Sequence, residues 1–99
     1  MNIELHHLRY FVAVAEDLHF RRAAVRLHIA QPALSRAIKW LECELGATLL
    51  QRTTRNVAVT EAGKIFLDEI RPALAQIERA QSLAQSAAAG ESGRLSVAY

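Results

Sequence analysis

A chain of 99 residues that is 52% hydrophobic, with two prolines and a formal net charge of +2, is predicted to be one compact unit with a modest core. It has no apolar run near the roughly 20 residues that span a bilayer, and its N-terminus lacks the pattern of a secretory leader, which argues against a membrane protein and favours the cytoplasm. The single cysteine, Cys43, excludes an internal disulfide. No metal or cofactor is predicted, because the four histidines form no ligand pattern and the adjacent His6 and His7 are expected on different sides of a helix.

Two helices are predicted in the first third of the chain. The first spans about Glu4 to Asp17, because apolar residues recur there at helical spacing. This predicted buried stripe consists of Leu5, Leu8, Phe11, Val12 and Ala15. The second spans about Phe20 to Leu27 and turns two small alanines inward, which allows another helix to cross close by. Asp17 or His19 is available as its N-terminal cap.

The three residues "HIA" form the short connection that is typical of a helix-turn-helix. His28 is expected to take the positive φ that such a turn needs, since no glycine is present. A third helix is predicted to begin near Gln31, with Pro32 in its first turn, and to end at Gly46. Its buried face is predicted from Leu34, Ile38, Leu41 and Leu45.

The positive charge is concentrated between residues 21 and 55, which carry seven Lys or Arg against two Glu. Such a local excess favours a polyanionic partner, although a solvated surface has the same composition. The exposed start of the third helix has the side chains that read base edges, since Arg pairs with guanine, Gln with adenine, and apolar groups contact the thymine methyl. The predicted base contacts are Gln31, Pro32, Ala33, Ser35 and Arg36.

The third helix has an inverted order of charges, with Arg36 and Lys39 early and Glu42 and Glu44 late. This order opposes the helix macrodipole, at a cost of about 0.3–1 kcal/mol for each exposed charge. We interpret it as attraction for phosphate at the first turns, with the acidic residues kept away from the polyanion. An ion pair between Lys39 and Glu42 across one turn is the alternative.

A two-stranded hairpin is predicted directly after this helix, with a first strand that begins at Leu49 and Leu50 and a second at residues 57–59. A hairpin in this place is a wing. Its polar tip is suited to phosphates and, for one arginine, to a narrow minor groove. Arg52 and Arg55 are the two arginines of this tip, and the predicted phosphate contacts are Arg22, Lys39, Arg52, Thr53 and Thr54.

A long helix is predicted after Thr60, which is a suitable N-cap, with Glu61 in its first turn. Apolar residues then step by 4 and 3, as in a heptad seam that meets a second copy. The predicted dimer interface is Phe66, Ile70, Ala73, Leu74, Ile77, Ala80 and Ala84. Leu67 and Leu74 widen the seam, so that part of the helix packs on its own domain. Pro72 is expected to kink this helix, and the alanines of the distal seam predict a moderate affinity.

The segments "LRYFVAVAED", "RAAVRLHIAQPALSRAIKWLECELGATLLQR" and "RNVAVTEAG" resemble the N-terminal winged helix-turn-helix domain of LysR-type transcriptional regulators. The resemblance covers nearly everything from Leu5 to Gly63. It implies the same base-contacting residues at the start of the third helix and a minor-groove role for Arg55. The sequence departs from the family at His19 and Arg21, where many members have Ser or Thr.

The resemblance implies a mainly α fold in three parts: a DNA-binding domain over 1–59, a linker and dimerisation helix over 60–89, and a hinge with the start of a truncated effector-binding domain over 90–99. The implied function is that of a bacterial transcriptional activator. It would bind a palindromic promoter site on double-stranded DNA as a homodimer, through residues 31–45 and 49–59, with a tetramer possible for the full-length protein. A small-molecule inducer is expected only for the missing domain.

Two other classes of protein compete with this interpretation. An all-helical protein-interaction module would account for the heptad seam but not for the basic hairpin. An enzyme would need a pocket with convergent acid, base or nucleophile, whereas the polar residues here are expected on convex surfaces. DNA binding is therefore the function that the sequence favours.

Overall fold

The computed structural model describes residues 2–53 and 56–93. Its elements, in chain order, are α1 (Leu5–Asp17), α2 (Phe20–Leu27), α3 (Gln31–Leu45), β1 (Leu50–Arg52), β2 (Val57–Val59) and α4 (Glu61–Gly93). Over these residues the chain is mainly helical with one small antiparallel sheet, as predicted. Across these two described ranges, no helix combines the length and the apolar character that a membrane crossing requires.

The first two helices begin with caps that use histidine. The Glu4 side chain accepts from the backbone of His7, and His7 Nδ1 accepts from the Glu4 amide at 3.0 Å, so the two residues form a capping box. His19 Nδ1 accepts from the Arg22 amide at 3.0 Å, and His19 is thus the cap of α2. Each cap satisfies an amide that has no partner within its helix.

The turns that follow α1 and α2 both need a left-handed residue. Leu18 ends α1 with φ +51°, and His28 ends α2 with φ +59°, which confirms the prediction for His28. The carbonyl of Ala24 accepts from the amides of His28 and Ile29. α3 then begins at Gln31 and ends against Gly46, which has φ +67°. Gly46 has no side chain to strain in this conformation.

The core lies where α1, α2 and α3 meet and where the base of the hairpin packs on them. Its largest fully buried side chains are Phe11, Val14, Leu34, Leu41 and Leu49. The predicted stripe on α1 was too narrow: Ala13 and Val14 are also buried, while Leu5, Leu8 and Val12 are half-buried. The reason is that α1 packs against α2 and α3 on one side and α4 on another, so its buried arc is wider than one amphipathic face.

The hairpin is two strands of three residues in the register Leu50↔Val59, Gln51↔Ala58 and Arg52↔Val57. Thr60 closes its base, because its amide donates to the Leu49 carbonyl at 3.0 Å and its hydroxyl donates to the Thr48 carbonyl at 2.6 Å. The same hydroxyl accepts from the Gly63 amide at 2.9 Å and caps α4, as predicted. One threonine therefore joins the hairpin to the helix that follows it.

The first half of α4 packs on α1 and the second half leaves the domain. Phe66 lies 5.6 Å from Phe11 between ring centroids, and Leu67 and Leu74 are buried. Glu16 on α1 bridges Arg26 of α2 and Arg71 of α4, each at 3.4 Å. The helix continues through Pro72 and on to Gly93, four residues beyond the predicted end of the linker helix. The predicted hinge is thus helical over residues 90–93, and the rest of the predicted C-terminal part, residues 94–99, lies outside the described residues.

Candidate nucleic-acid interface

The first turns of α3 are open to solvent on the face opposite the core. Gln31, Pro32 and Arg36 are exposed, while Ala33 and Ser35 are half-buried. They are available because Leu34, Ile38 and Leu41 bury the other face of the same helix. The predicted division of α3 into a core face and an outward face is therefore present in the structure.

The start of α3 and the hairpin face the same side of the molecule. A groove of about 180 Å³ is lined by Gln31 of α3, by Arg52, Thr53 and Asn56 of the hairpin, and by residues at the start of α2 that include Arg21. A second groove, of about 240 Å³, has Ser35 and Lys39 on one wall and Arg52 on the other. The outward face of α3 and the wing thus form one polar surface with several cationic side chains, the arrangement that a duplex needs.

Arg52, at the end of β1, contacts both helices of the helix-turn-helix. Its guanidinium carbon lies 3.8 Å from the centroid of the Phe20 ring, and its Nη1 donates to the Ser35 hydroxyl at 3.5 Å. Phe20 is itself only 5% exposed, so the ring is held by the core. A guanidinium over an aromatic face is a favourable cation–π contact. Arg52 is therefore engaged within the domain.

Glu42 connects the second half of α3 to the start of the wing. Its Oε2 accepts from the Leu49 amide at 2.7 Å and from the Leu50 amide at 3.1 Å. These two amides precede and begin β1, and the carboxylate supplies the acceptor that they lack in so short a sheet. The alternative interpretation of Glu42, an ion pair with Lys39, is wrong. Among the described residues Lys39 makes no ion pair with it, and it is a structural anchor.

The tip of the wing is closed by Thr53 and Asn56. The Thr53 amide donates to the Asn56 carbonyl at 2.8 Å, and the Thr53 hydroxyl accepts from the Asn56 amide at 3.0 Å. The hydroxyl that was predicted to contact phosphate thus also holds the turn. The predicted roles of Thr54 and Arg55 concern positions outside the described residues. Arg22 and Lys39, the other predicted phosphate contacts, are both exposed.

The predicted dimer residues of α4 fall into two groups. Leu74 is buried, and Phe66 and Ile70 are half-buried, since this part of α4 lies along α1. Exposed on the helix are Ala73, Ile77, Ala80 and Ala84. Two further large apolar side chains, Ile65 and Leu83, are about 60% exposed and lie off the predicted seam. The single chain therefore covers the proximal seam and leaves the distal seam open.

A cluster at the N-terminus contradicts the expectation that His6 and His7 face different sides. Their ring centroids are 4.0 Å apart, and ligating atoms of Glu4, His6 and His7 lie within 4.8 Å of one another. His7 Nδ1 already accepts a hydrogen bond from the Glu4 amide. The His7 ring also stacks on the Trp40 ring, with 4.3 Å between the ring centroids. Burial and the neighbouring His6 lower the pKa of His7 below 6.5, while Glu4 acts in the opposite direction. Glu4 and His7 of this cluster serve as the N-terminal cap of α1.

Sequence reasoning missed three residues that build the interface. Glu42 anchors the wing, Phe20 supports Arg52, and Arg21 lines the groove beside Gln31. Only Glu42 had a signal in the sequence, namely its unfavourable place at the end of a helix. The partners of that carboxylate are backbone amides, which leave no trace in residue types.

Residues 5–64 match the family described as "Bacterial regulatory helix-turn-helix protein, lysR family". The chain is 54% identical over 99 residues to the HTH-type transcriptional regulator YnfL of Escherichia coli (strain K12), a match that covers 100% of this chain and 33% of that protein. It is 55% identical over 97 residues to the HTH-type transcriptional regulator AlsR of Bacillus subtilis (strain 168), covering 98% and 32% respectively. The chain therefore spans about one third of the length of these curated relatives.

The fold also matches a solved complex with DNA. The protein chain in the crystal structure of the BenM_DBD/catB site 1 DNA complex is 45% identical, with a TM-score of 0.83 over 87% of this chain and 96% of that chain. Members of the matched family regulate transcription and are not enzymes. The polar surface of α3 and the wing, the family match and the likeness to a DNA complex lead to one conclusion: this chain belongs to the lysR family of bacterial regulatory helix-turn-helix proteins and is a DNA-binding domain of that family.

Proposed function

We propose that this domain recognises a specific sequence in double-stranded DNA, with α3 in the major groove and the wing at the adjacent minor groove. The observation that carries the proposal is that Gln31 and Arg52 line one groove. A duplex can meet α3 and the wing together only if both face the same side. The likeness to a BenM domain that was solved with DNA supports the same mode of binding.

The proposed contacts divide into those that read bases and those that bind phosphates. The base contacts are Gln31, Pro32, Ala33, Ser35 and Arg36 from α3, with Arg55 from the wing. The phosphate contacts are Arg22, Lys39, Thr53 and Thr54. Lys39 is suited to this role because it is exposed next to Ser35 in the second groove and makes no ion pair among the described residues.

We further propose that two copies bind a palindromic site through α4. The exposed distal seam, with Ile77, Ala80 and Ala84, would supply the contacts between copies, while Leu74 stays in its own domain. Two linked domains bind more tightly than one because the second contact becomes intramolecular. The half-sites are then expected about one helical turn apart, roughly 34 Å, or a multiple of it.

In a full-length regulator that carries this domain, we propose a cytoplasmic activator that responds to a small-molecule inducer bound by a separate domain. Its oligomer would be a dimer or a tetramer. The regulators YnfL and AlsR, of which this chain covers about one third, have the length for such a second domain.

Selection of bound duplexes from a random DNA pool tests the proposal. We expect enrichment of an inverted repeat whose half-sites are separated by whole helical turns. Enrichment of a single, asymmetric element would contradict binding as a dimer but not sequence-specific recognition. Recovery of unenriched DNA, bound with equal affinity whatever its sequence, would contradict sequence-specific recognition itself.

A further inference from the structure

The contacts of Arg52 differ from those of the other cationic side chains of the candidate interface. Lys39 and Arg22 extend from helices without ion pairs among the described residues, whereas Arg52 has a ring under its guanidinium and a hydroxyl at its Nη1. The three groups come from three elements, with Arg52 on β1, Phe20 on α2 and Ser35 on α3. Its contacts therefore cross the whole interface.

The wing needs such contacts because it is small. Two strands of three residues are at best marginally stable by themselves, so their position depends on what ties them to the helices. Side-chain packing does not fill the space between α3 and β1, where the groove of about 240 Å³ lies. The wing is thus held against α3 at particular points and not along its length.

Two of these points are visible on either side of that groove. At one, the Glu42 carboxylate binds the amides of Leu49 and Leu50, where β1 begins. At the other, Arg52 reaches Phe20 and Ser35 from the end of β1, next to the tip. Glu42 therefore sets where the wing starts, and Arg52 sets how far its tip stands from the first turns of α3.

We propose that Arg52 is a positioning residue for DNA reading, which acts by holding the wing tip and Ser35 in register and not as a phosphate ligand. This inference rests on the proposed function, since it concerns the discrimination between sequences. The planar guanidinium is essential to the role, because it lies flat on the ring while one edge reaches the hydroxyl. A lysine at position 52 would keep the charge and lose both contacts.

The salt dependence of DNA affinity separates positioning from phosphate binding. Each phosphate that a cation neutralises adds about 0.9 to the slope of log K against log salt concentration, whatever the sequence. A residue that only positions the wing leaves this slope unchanged and lowers the ratio of specific to nonspecific affinity. The two roles thus predict different measurements on the same protein.

The experiment uses the whole 99-residue chain with Arg52→Gln and Arg52→Lys. The probes are a duplex selected from a random pool by the unmodified chain and a shuffled duplex of the same length and composition. We expect both variants to lose about tenfold in the affinity ratio, the discrimination of one base contact, with the slope unchanged. Lys39→Gln is the matched control and is expected to lower the slope by about 0.9.

A slope that falls by about one in Arg52→Gln overturns the proposal, and so does an affinity ratio in Arg52→Lys within twofold of the unmodified chain. Circular dichroism of the helices checks the fold of each variant. If Arg52→Gln loses helicity, the test rests on Arg52→Lys. Phe20→Leu keeps an apolar side chain in the core and removes the ring. The loss in affinity ratio caused by Phe20→Leu is expected not to add to the loss caused by Arg52→Lys. Additive losses in the double variant overturn the proposal.

Failure of the proposed function would look different from failure of this inference. If the unmodified chain binds the selected and shuffled duplexes equally, sequence-specific recognition is wrong and the role of Arg52 falls with it. If the unmodified chain discriminates and both Arg52 variants discriminate as well, only the positioning role is wrong.

Discussion

Glu42 and Leu49 join α3 to the wing through a hydrogen bond of 2.7 Å between a carboxylate oxygen and a backbone amide. The same oxygen also accepts from Leu50. The wing is therefore attached to α3 by a side chain near the far end of that helix, away from the residues that are proposed to read bases.

Glu42→Ala is expected to lower the free energy of unfolding by about 1.5–3 kcal/mol, because two amides lose a charged acceptor. Urea unfolding measures this change, and hydrogen exchange should accelerate at the amides of Leu49 and Leu50. Glu44→Ala is the control, since its exposed side chain accepts one long bond, from the Asn2 amide at 3.4 Å. Equal effects of the two substitutions would contradict an anchoring role.

Gly63→Ala is expected to destabilise the protein by about 1–3 kcal/mol, although alanine favours helices. A Cβ at this position would overlap the Leu49 carbonyl oxygen and Val59 Cγ1. Gly90→Ala, where a Cβ meets nothing within 4 Å, should instead stabilise α4 by up to about 1 kcal/mol. Thermal unfolding of both variants checks the prediction, and a stabilising Gly63→Ala would refute it.

The capping box of α1 predicts a loss of stability in acid. Burial lowers the pKa of His7 below its ordinary value of 6.5, so the folded protein binds fewer protons at this ring than the unfolded chain. The contribution of the neutral cap is present above pH 6.5 and is lost as the pH falls through the lowered value. His7→Gln keeps an acceptor and should reduce the decline in the free energy of unfolding between pH 7 and pH 5.

His28→Asn is the control for this pH dependence, because His28 is exposed and asparagine also tolerates its left-handed conformation. It should leave the decline unchanged. Were His7→Gln to show the same decline as the unmodified chain, the acid sensitivity would have to arise from other groups.

Arg36→Ala and Lys39→Ala are expected to weaken DNA binding in different ways. Arg36→Ala should cost about 1–3 kcal/mol on the selected duplex and relax the preference at one base pair. Lys39→Ala should weaken binding to selected and shuffled duplexes alike and flatten the salt dependence. Titrations of both duplexes at several salt concentrations make the comparison. Equal losses on both duplexes for Arg36→Ala would contradict a base-reading role.

Ile77→Asp should shift the chain from dimer to monomer, because it places a charge in the exposed distal seam of α4. Leu83→Asp is the matched control, since Leu83 is on the same helix, is about 60% exposed and lies off the seam. Sedimentation equilibrium measures the two association constants. A larger loss for Leu83→Asp would place the interface on another face of α4.

Local signals predicted the boundaries of the helix-turn-helix. Pro32 and Gly46 mark the start and end of α3, and a polar cap with a left-handed histidine delimits α2. These signals succeed because they act within a few residues of the chain. Burial of Ala13 and Val14 could not be predicted in this way, since it results from α2, α3 and α4 packing on more than one side of α1.

The composition of the interface was also easier to predict than its internal contacts. The outward face of α3 follows from helical periodicity once the buried face is known. Arg52 was grouped with the phosphate ligands because an arginine in the wing suggests a contact with DNA, and the ring beneath it belongs to a residue 32 positions earlier. Contacts between distant residues are decided by tertiary packing, for which a single sequence has no local signal.

Thr60 makes the wing a closed excursion from the chain, because it bonds to Thr48 and Leu49 on one side and caps α4 on the other. The segment between β1 and β2 can therefore be lengthened, shortened or exchanged while the two ends of the wing stay clamped. Under the proposed mode of binding, a new preference at the minor groove can then evolve in this segment alone, with α4 left undisturbed.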